Sequence, residues 1–366
     1  MSKTIQDVIT ILEKWAPTYY AEDFDNVGLL VGNKKDAVTG ILVTLDALEE
    51  TIDEAIEKNC NLIVTFHPII FSGLKKLTGS NYVERSVIKA IKKGIAIYSL
   101  HTALDNSSTG VNAAICRKLG LNDTQILIPK RNVLKKLITF TPTAEAEKVK
   151  QAMLDAGAGH IGNYDRCSFS SQGIGSYRAN KNANPNYGVI GKEHLEKEVK
   201  IEVIVPIHIE EIILQAMKKS HPYEEIAYNL IPLSNSRNDI GMGMTGSFTY
   251  PLNQDDFLKL LKVKFGSGVI RFSETTKKPI TKVAVLGGSG SFAIAAAKAS
   301  GADAFVTSDL KYHDFFQAEN QILLADIGHF ESEQFTKNLI ADYLTEKLPN
   351  FAVLLTAINT NPVRYY

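Results

Sequence analysis

Twice in this chain an apolar run of strand character ends near a histidine that is followed, at the fourth position, by a carboxylate. Close to the end of the chain, Ile322-Leu323-Leu324-Ala325 leads through Gly328 into His329 and Glu333. Far upstream, Ile95-Ala96-Ile97-Tyr98-Ser99-Leu100 ends in His101 and Asp105. The i, i+4 spacing sets an imidazole and a carboxylate on one face of a helical turn, where both can reach one metal ion. A single such pair reads better as a surface contact. Its repetition changes the reading.

The flanking elements repeat as well. Ile41 to Asp46 reads as a strand, Leu48 to Lys58 as an amphipathic helix, and Asn61 to Phe66 as the next strand, closed by His67-Pro68. Thr78 to Lys93 is the expected helix between His67 and His101. Downstream, Val283 to Gly288 is a strand, Phe292 to Ser300 a helix, and Ala304 to Thr307 a strand. Val43 and Val64 are 21 positions apart, and so are Val285 and Val306. The halves therefore align, with His67 opposite Asp309 and His101-x-x-x-Asp105 opposite His329-x-x-x-Glu333. Strand–helix–strand units predict parallel sheets covered by helices, with ligands gathering at the carboxyl ends of the strands. The expected fold is α/β: two pseudo-symmetric lobes around a metal cleft, built from residues 1–130 and 235–366.

Residues 131–234 form an insert with its own internal repeat. Leu137 to Pro142 and Ile201 to Pro206 are strands, each leading into a helix, and Gln151-Ala152-Met153 recurs as Gln215-Ala216-Met217. This pattern predicts a compact α+β domain of the ferredoxin-like kind, with Thr143 capping its first helix and Ser170 to Asn186 as an exposed loop. His160, His194, His208 and His221 lie here, and none shares a helix face with another ligand, so they are read as non-metal residues.

Composition removes several classes of function. Forty basic and forty acidic residues leave no net charge, so there is no electrostatic footprint for nucleic acid or for an anionic membrane. No apolar run approaches the length of a membrane span. Three cysteines without a C-x-x-C pair, behind a polar N-terminus, suit a reduced, cytoplasmic protein. Gly241-Met242-Gly243-Met244-Thr245-Gly246 matches the dinucleotide fingerprint, but a strand-like segment follows it instead of a helix, and we reject that reading. Gly287 to Ser291 follows a strand and precedes a helix. Its amides would serve a phosphate cradle or a tight turn for close helix packing equally well.

His67, His101, His329, Asp105 and Glu333 are a nitrogen-and-oxygen set without thiolate, which suits zinc, manganese or iron. Five donors exceed the needs of one tetrahedral ion, so a pair of ions is expected. Two adjacent ions acidify water and polarise a substrate oxygen, the equipment of a hydrolase.

Together, Asp25-Asn26-Val27-Gly28, Thr65-Phe66-His67-Pro68-Ile69-Ile70-Phe71, His101-Thr102-Ala103-Leu104-Asp105 and Gly328-His329-Phe330-Glu331-Ser332-Glu333 resemble the NIF-three family, whose bacterial members are labelled GTP cyclohydrolase 1 type 2 homologues. The insert, with Gly157 to Tyr164 and His221-Pro222-Tyr223-Glu224-Glu225, resembles the PII- or CutA-like domain of the longer members. The resemblance spans essentially the whole chain. It implies a dinuclear site in the interlobe cleft, with His67, Asp105, His329 and Glu333 as ligands and His101 lining it, and a toroidal homohexamer. We assign zinc to both positions. One departure stands out: many members carry a histidine directly before the position of His67, where this chain has Phe66. Asp309 is a candidate to compensate for that lost donor.

The functional expectation is a metal-dependent hydrolase acting on a purine nucleotide such as GTP, with water attacking C8 of the guanine ring and His101 moving protons. The alternative is a non-catalytic, metal-organised regulatory assembly whose insert senses a small ligand.

Overall fold

The computed structural model describes residues 3–274 and 276–366. The chain divides into two compact units. One is the segment up to Pro129 together with Asp239–Tyr366, and the other is Lys130–Asn238.

The larger unit starts with a helix, Ile5–Glu13, closed by a reciprocal cap in which Thr4 Oγ1 accepts from the Asp7 amide and Asp7 accepts from the Thr4 amide. Its buried face is Ile5, Val8 and Leu12. Four strands follow: β1 (Gly28–Val31), β2 (Ile41–Thr44), β3 (Leu62–Thr65) and β4 (Ala96–Ser99). Every residue of β2, β3 and β4 is buried, as expected for parallel strands covered on both faces. Alternation then decides what each side chain meets. Leu42, Ile63 and Ile97 pack with Ile52, Ala55, Val87 and Ala90 of the helices Glu49–Glu57 and Tyr82–Lys93. Val43, Val64 and Tyr98 point the other way, into a larger central cluster. The second of those helices starts at Tyr82, four residues later than Thr78. The Glu84 carboxylate draws the Thr78 and Ser80 amides onto itself at 2.8 and 3.1 Å, so that stretch turns instead of coiling.

Beyond the helix Val111–Leu119 and strand β5 (Asn122–Lys130) comes the smaller unit. Its strands are β6 (Leu134–Pro142), β7 (Ser168–Arg178), β8 (Glu193–Pro206) and β9 (Tyr228–Leu233), with helices Ala146–Asp155 and Glu210–Ser220 after β6 and β8. The sheet order is β7-β8-β6-β9 and every neighbouring pair is antiparallel. This is the ferredoxin-like β-α-β-β-α-β arrangement. One apolar cluster, including Leu137, Val149, Met153, Val203, Ile213 and Met217, joins sheet to helices. Two local expectations change. Ser170–Arg178 is strand and not loop, because this polar run pairs along its whole length with β8. Thr143 does not cap the helix: its hydroxyl donates to the Lys197 carbonyl at 3.1 Å, and the helix begins at Ala146.

The larger unit resumes with β10 (Arg237–Leu252), β11 (Arg271–Phe272), β12 (Ile280–Ser289), β13 (Ala304–Ser308), β14 (Leu323–Asp326) and β15 (Val353–Leu355). Its two sheets run β1-β4-β3-β2-β15 and β11-β14-β13-β12-β10-β5. The duplication is visible in these orders. In both sheets three parallel strands are flanked by an antiparallel one, β1 on β4 and β11 on β14. Val43 is registered on Val64 and Val285 on Val306, the pairs whose equal spacing marked the repeat. The halves differ at the far edge, where β15 adds parallel to β2 and β10 adds antiparallel to β12. Val283, Val285 and Val306 share the central cluster with Val43 and Val64, so the two sheets turn inner faces toward one core. The glycines of Gly241–Gly246 lie within β10.

Candidate metal centre

The carboxyl ends of four parallel strands deliver the site. His67 stands two residues beyond β3 and Asp309 directly beyond β13. His101 opens a single-turn helix after β4, His101–Asp105, and His329 opens its counterpart after β14, His329–Glu333. His101 (φ +27°) and Asp309 (φ +57°) both take left-handed backbone, a conformation uncommon outside glycine and concentrated at functional positions. The His101 amide donates to the Phe66 carbonyl at 2.9 Å, which fixes the start of its turn.

His67, His329 and Glu333 converge. Their ligating atoms all lie within 4.8 Å of one another. Glu333 Oε2 is 3.0 Å from Nε2 of His67 and 3.0 Å from Nε2 of His329. The other nitrogen of each ring is held by an aspartate: Asp46 is 2.7 Å from His67 Nδ1, and Asp309 is 2.7 Å from His329 Nδ1. Both rings therefore turn Nε2 to the same point. This carboxylate–histidine arrangement is the usual support of an imidazole ligand. Asp309, which the sequence offered as a substitute ligand, orients His329 and takes the Ser289 hydroxyl on the same oxygen.

His101 and Asp105 flank this group. The His101 ring centroid is 5.5 Å from that of His67. Asp25 accepts at 2.8 Å from His101 Nδ1, and its second oxygen accepts from the Thr102 amide and hydroxyl. Asp105 is buried, with Oδ1 lacking a hydrogen-bond partner. Phe66 is fully buried and lies edge-on to His101, with centroids 5.6 Å apart.

Charge follows from these contacts. Burial opposes a proton on His67, but Asp46 and Glu333 outweigh it and push the imidazole up to about 9. Burial is likewise overcome at His329, where Asp309 and Glu333 push the ring up to about 11. Burial alone would raise Glu333, yet the two imidazoles hold it at about 2. At Asp105 burial wins, and the nearby Glu333 charge adds to it, so that carboxyl sits well above its ordinary value. The two imidazoles and the raised Asp105 carboxyl thus favour holding protons beside the carboxylates. A divalent cation would take the place of those protons, and would give Asp105 Oδ1 the partner it lacks. The donor set and this orphaned oxygen both fit such an ion.

The paired glycines at the carboxyl end of β12 serve packing and not phosphate. The Gly287 amide donates to Asn112 Oδ1 and the Gly288 amide to Ser332 Oγ, both at 3.0 Å. A Cβ on Gly288 (φ +69°) would stand 2.4 Å from Glu333 Oε1. The strand end is bare so that the shared carboxylate can lie against it. A cavity of about 460 Å3 reaches the site, lined by Asp46, His67, Asp309 and His329 together with Arg271 and Tyr365. His313, outside this group, is exposed on a short 3-10 helix, Tyr312–Ala318.

Asp25 and Asp46 are the residues that sequence reading passed over as site groups. Asp25 was visible within an acidic loop. Asp46 carried a weak signal, a polar residue at the carboxyl end of a buried parallel strand.

A duplicated α/β unit with a histidine-and-carboxylate centre at its strand ends defines a class of candidate metal-binding protein. The chain belongs to the family described as Duf34/NIF3 (NGG1p interacting factor 3), whose model matches residues 3–362. It is 36% identical over 373 residues to the "GTP cyclohydrolase 1 type 2 homolog" of Bacillus subtilis, with all of both chains covered. Among solved structures it is similar to the Bacillus cereus protein related to NIF3 (TM-score 0.81, 33% identity, 100% and 99% of the two chains). It is also similar to Staphylococcus aureus protein SA1388 (TM-score 0.80, 30% identity, 100% and 99%). No helix among the described residues is long and apolar enough to cross a membrane.

Proposed function

We propose that this protein is a metal-dependent hydrolase acting on a purine nucleotide such as GTP. The observation that carries the reading is the pair of imidazole Nε2 atoms 3.0 Å from one buried carboxylate oxygen, each ring held from behind by an aspartate. His67, Asp105, His329 and Glu333 would hold two divalent ions, zinc by assignment, with His101 beside them. When bound, such ions acidify water and polarise a substrate oxygen.

The chain's own residues supply the rest. Asp46 and Asp309 fix two imidazoles so that neither reorganises during turnover. Asp25 holds His101 Nδ1 at 2.8 Å, leaving Nε2 as the atom that accepts and returns a proton. The 460 Å3 cavity has room for a nucleotide base, and Arg271 on its wall offers a planar donor to a polar substrate. The substrate class comes from the name of the relatives, with opening at C8 of the ring as the reaction. A toroidal homohexamer and a cytoplasmic location belong to the same reading, and the first is checked by light scattering on the purified chain.

The second reading is a metal-organised regulatory assembly without turnover, favoured by Phe66 standing where a further nitrogen donor would complete the set. Metal content per chain and product release from a nucleotide panel separate the two. Near two ions in the wild type, lost together with turnover in the His329→Ala, Glu333→Ala double variant, is the expected result. Two ions with no turnover on any nucleotide selects the regulatory reading. No ion after reloading refutes both.

A further inference from the structure

The inserted unit has a cavity of its own, about 360 Å3, whose lining includes Tyr177, Tyr223, Glu198, Glu224, Glu225 and Arg178. Its chemistry centres on Glu198. This side chain comes from β8 and is only 9% exposed. The Tyr223 hydroxyl donates to its Oε1 at 2.7 Å and is the one donor that the described residues supply to this carboxylate. An ionised carboxylate accepts about four hydrogen bonds, and a buried one left without a counter-charge is costly. Oε2 lies across the bare backbone of Gly175, where a Cβ would approach it to 2.2 Å.

Aromatic rings stand around this acid. Tyr177 meets Tyr223 edge-on, with centroids 5.9 Å apart and planes 68° apart, and the Tyr177 hydroxyl is tied to the Tyr187 carbonyl at 3.0 Å. Burial, then Glu198, raise the Tyr223 phenol above its ordinary value, so it remains a donor. His221 supports the ring from below in sequence: its Nδ1 accepts from the Tyr223 amide at 3.1 Å and its Nε2 donates to the Phe140 carbonyl at 3.0 Å, so neither nitrogen is left for a metal. The Asn184 amide donates to Glu224 at 2.7 Å and ties the following loop to the cavity wall. Three carboxylates line the space against one exposed guanidinium, that of Arg178.

We propose that this cavity binds a small organic ammonium ion, its charged nitrogen set against the Glu198 carboxylate and the rings of Tyr177 and Tyr223. A carboxylate short of donors supplies the counter-charge, and the π-faces attract a cation that water holds weakly. The proposal is independent of the metal centre.

The test is calorimetric titration of the full chain with choline and, in parallel, with the uncharged alcohol in which carbon replaces the quaternary nitrogen. Choline should bind once per chain, about tenfold or more tighter than its neutral isostere. Glu198→Gln should weaken choline by a similar factor while metal content stays unchanged. Gly175→Ala, whose added methyl displaces the carboxylate, should do the same and guards against a single misfolded variant. His329→Ala should leave choline binding intact. Equal binding of choline and the alcohol, no saturable choline binding up to tens of millimolar, or choline binding that survives both insert variants in folded protein would overturn the assignment.

Discussion

Asp46 holds His67 by its Nδ1 atom, at 2.7 Å, and so decides which nitrogen of that ring faces the cleft. The Thr360 hydroxyl donates to the other oxygen of Asp46, so the aspartate is itself fixed. An Asp46→Asn variant keeps shape and loses the acceptor charge. We expect metal affinity to fall by about 10–100-fold, the usual cost of removing such a support, with little change in fold. Competition against a chelator of known affinity measures it. Unchanged affinity would mean that His67 is not a ligand.

Gly288 is required by its neighbour and by its backbone. An alanine there would place a methyl 2.4 Å from Glu333 Oε1 at a φ of +69°. Gly288→Ala should displace the shared carboxylate, release metal, and cost roughly 2 kcal/mol or more of stability. Urea unfolding with and without added zinc checks both parts. A variant with wild-type metal content would show that Glu333 does not need this close approach.

Phe66 occupies a fully buried position with its ring edge on His101. Phe66→His supplies an additional nitrogen beside the existing donors. The expected outcome is firmer retention of a second ion after dialysis, read as metal per chain. If retention is the same in both proteins, the departure from the family pattern at this position has no bearing on metal occupancy.

In the inserted unit, burial lowers the pKa of His221 below 6.5, and its Nδ1 is already an acceptor for the Tyr223 amide. The sign follows directly. As pH falls below about 6.5 the unfolded chain takes up a proton that the folded ring refuses, so stability is lost on acidification until the folded pKa is passed, and is flat above that window. Nitrogen-15 NMR should find a ring that is neutral and protonated at Nε2 above about pH 6.5, and whose titration midpoint lies below that of a solvent-exposed histidine. A midpoint at or above that of an exposed histidine would sink the idea.

Much of this architecture was legible because buried parallel strands write themselves as short apolar runs. Val43, Val64, Val285 and Val306 reported their own register through equal spacing. His329 and Glu333 were readable because both sit on one helical turn. Asp46 and Asp25 were harder. Each acts through a ring far away in sequence, Asp25 on His101 across 76 positions, and no local periodicity records such a pairing. The amides of Gly287 and Gly288 illustrate the converse. Their sequence context fitted an anion site, but Asn112 and Ser332 claim both donors from other parts of the fold. Ser170 to Arg178 misled for a similar reason: polar residues on an exposed sheet edge look like loop until their partner strand is known.

The duplicated plan divides the candidate ligands between the halves of the chain, with His67 in one and His329 and Glu333 in the other, 266 positions separating His67 from Glu333. A chain emerging from the ribosome therefore carries only an incomplete set until residue 333 has been added, and scattered donors compete poorly for a cation. Once the set closes, any ion held there ties together the ends of a very long loop. In chain-entropy terms that is a cross-link on the order of 5 kcal/mol against unfolding. Loading with metal would then favour chains in which the two halves have both folded, since neither half alone carries the whole set.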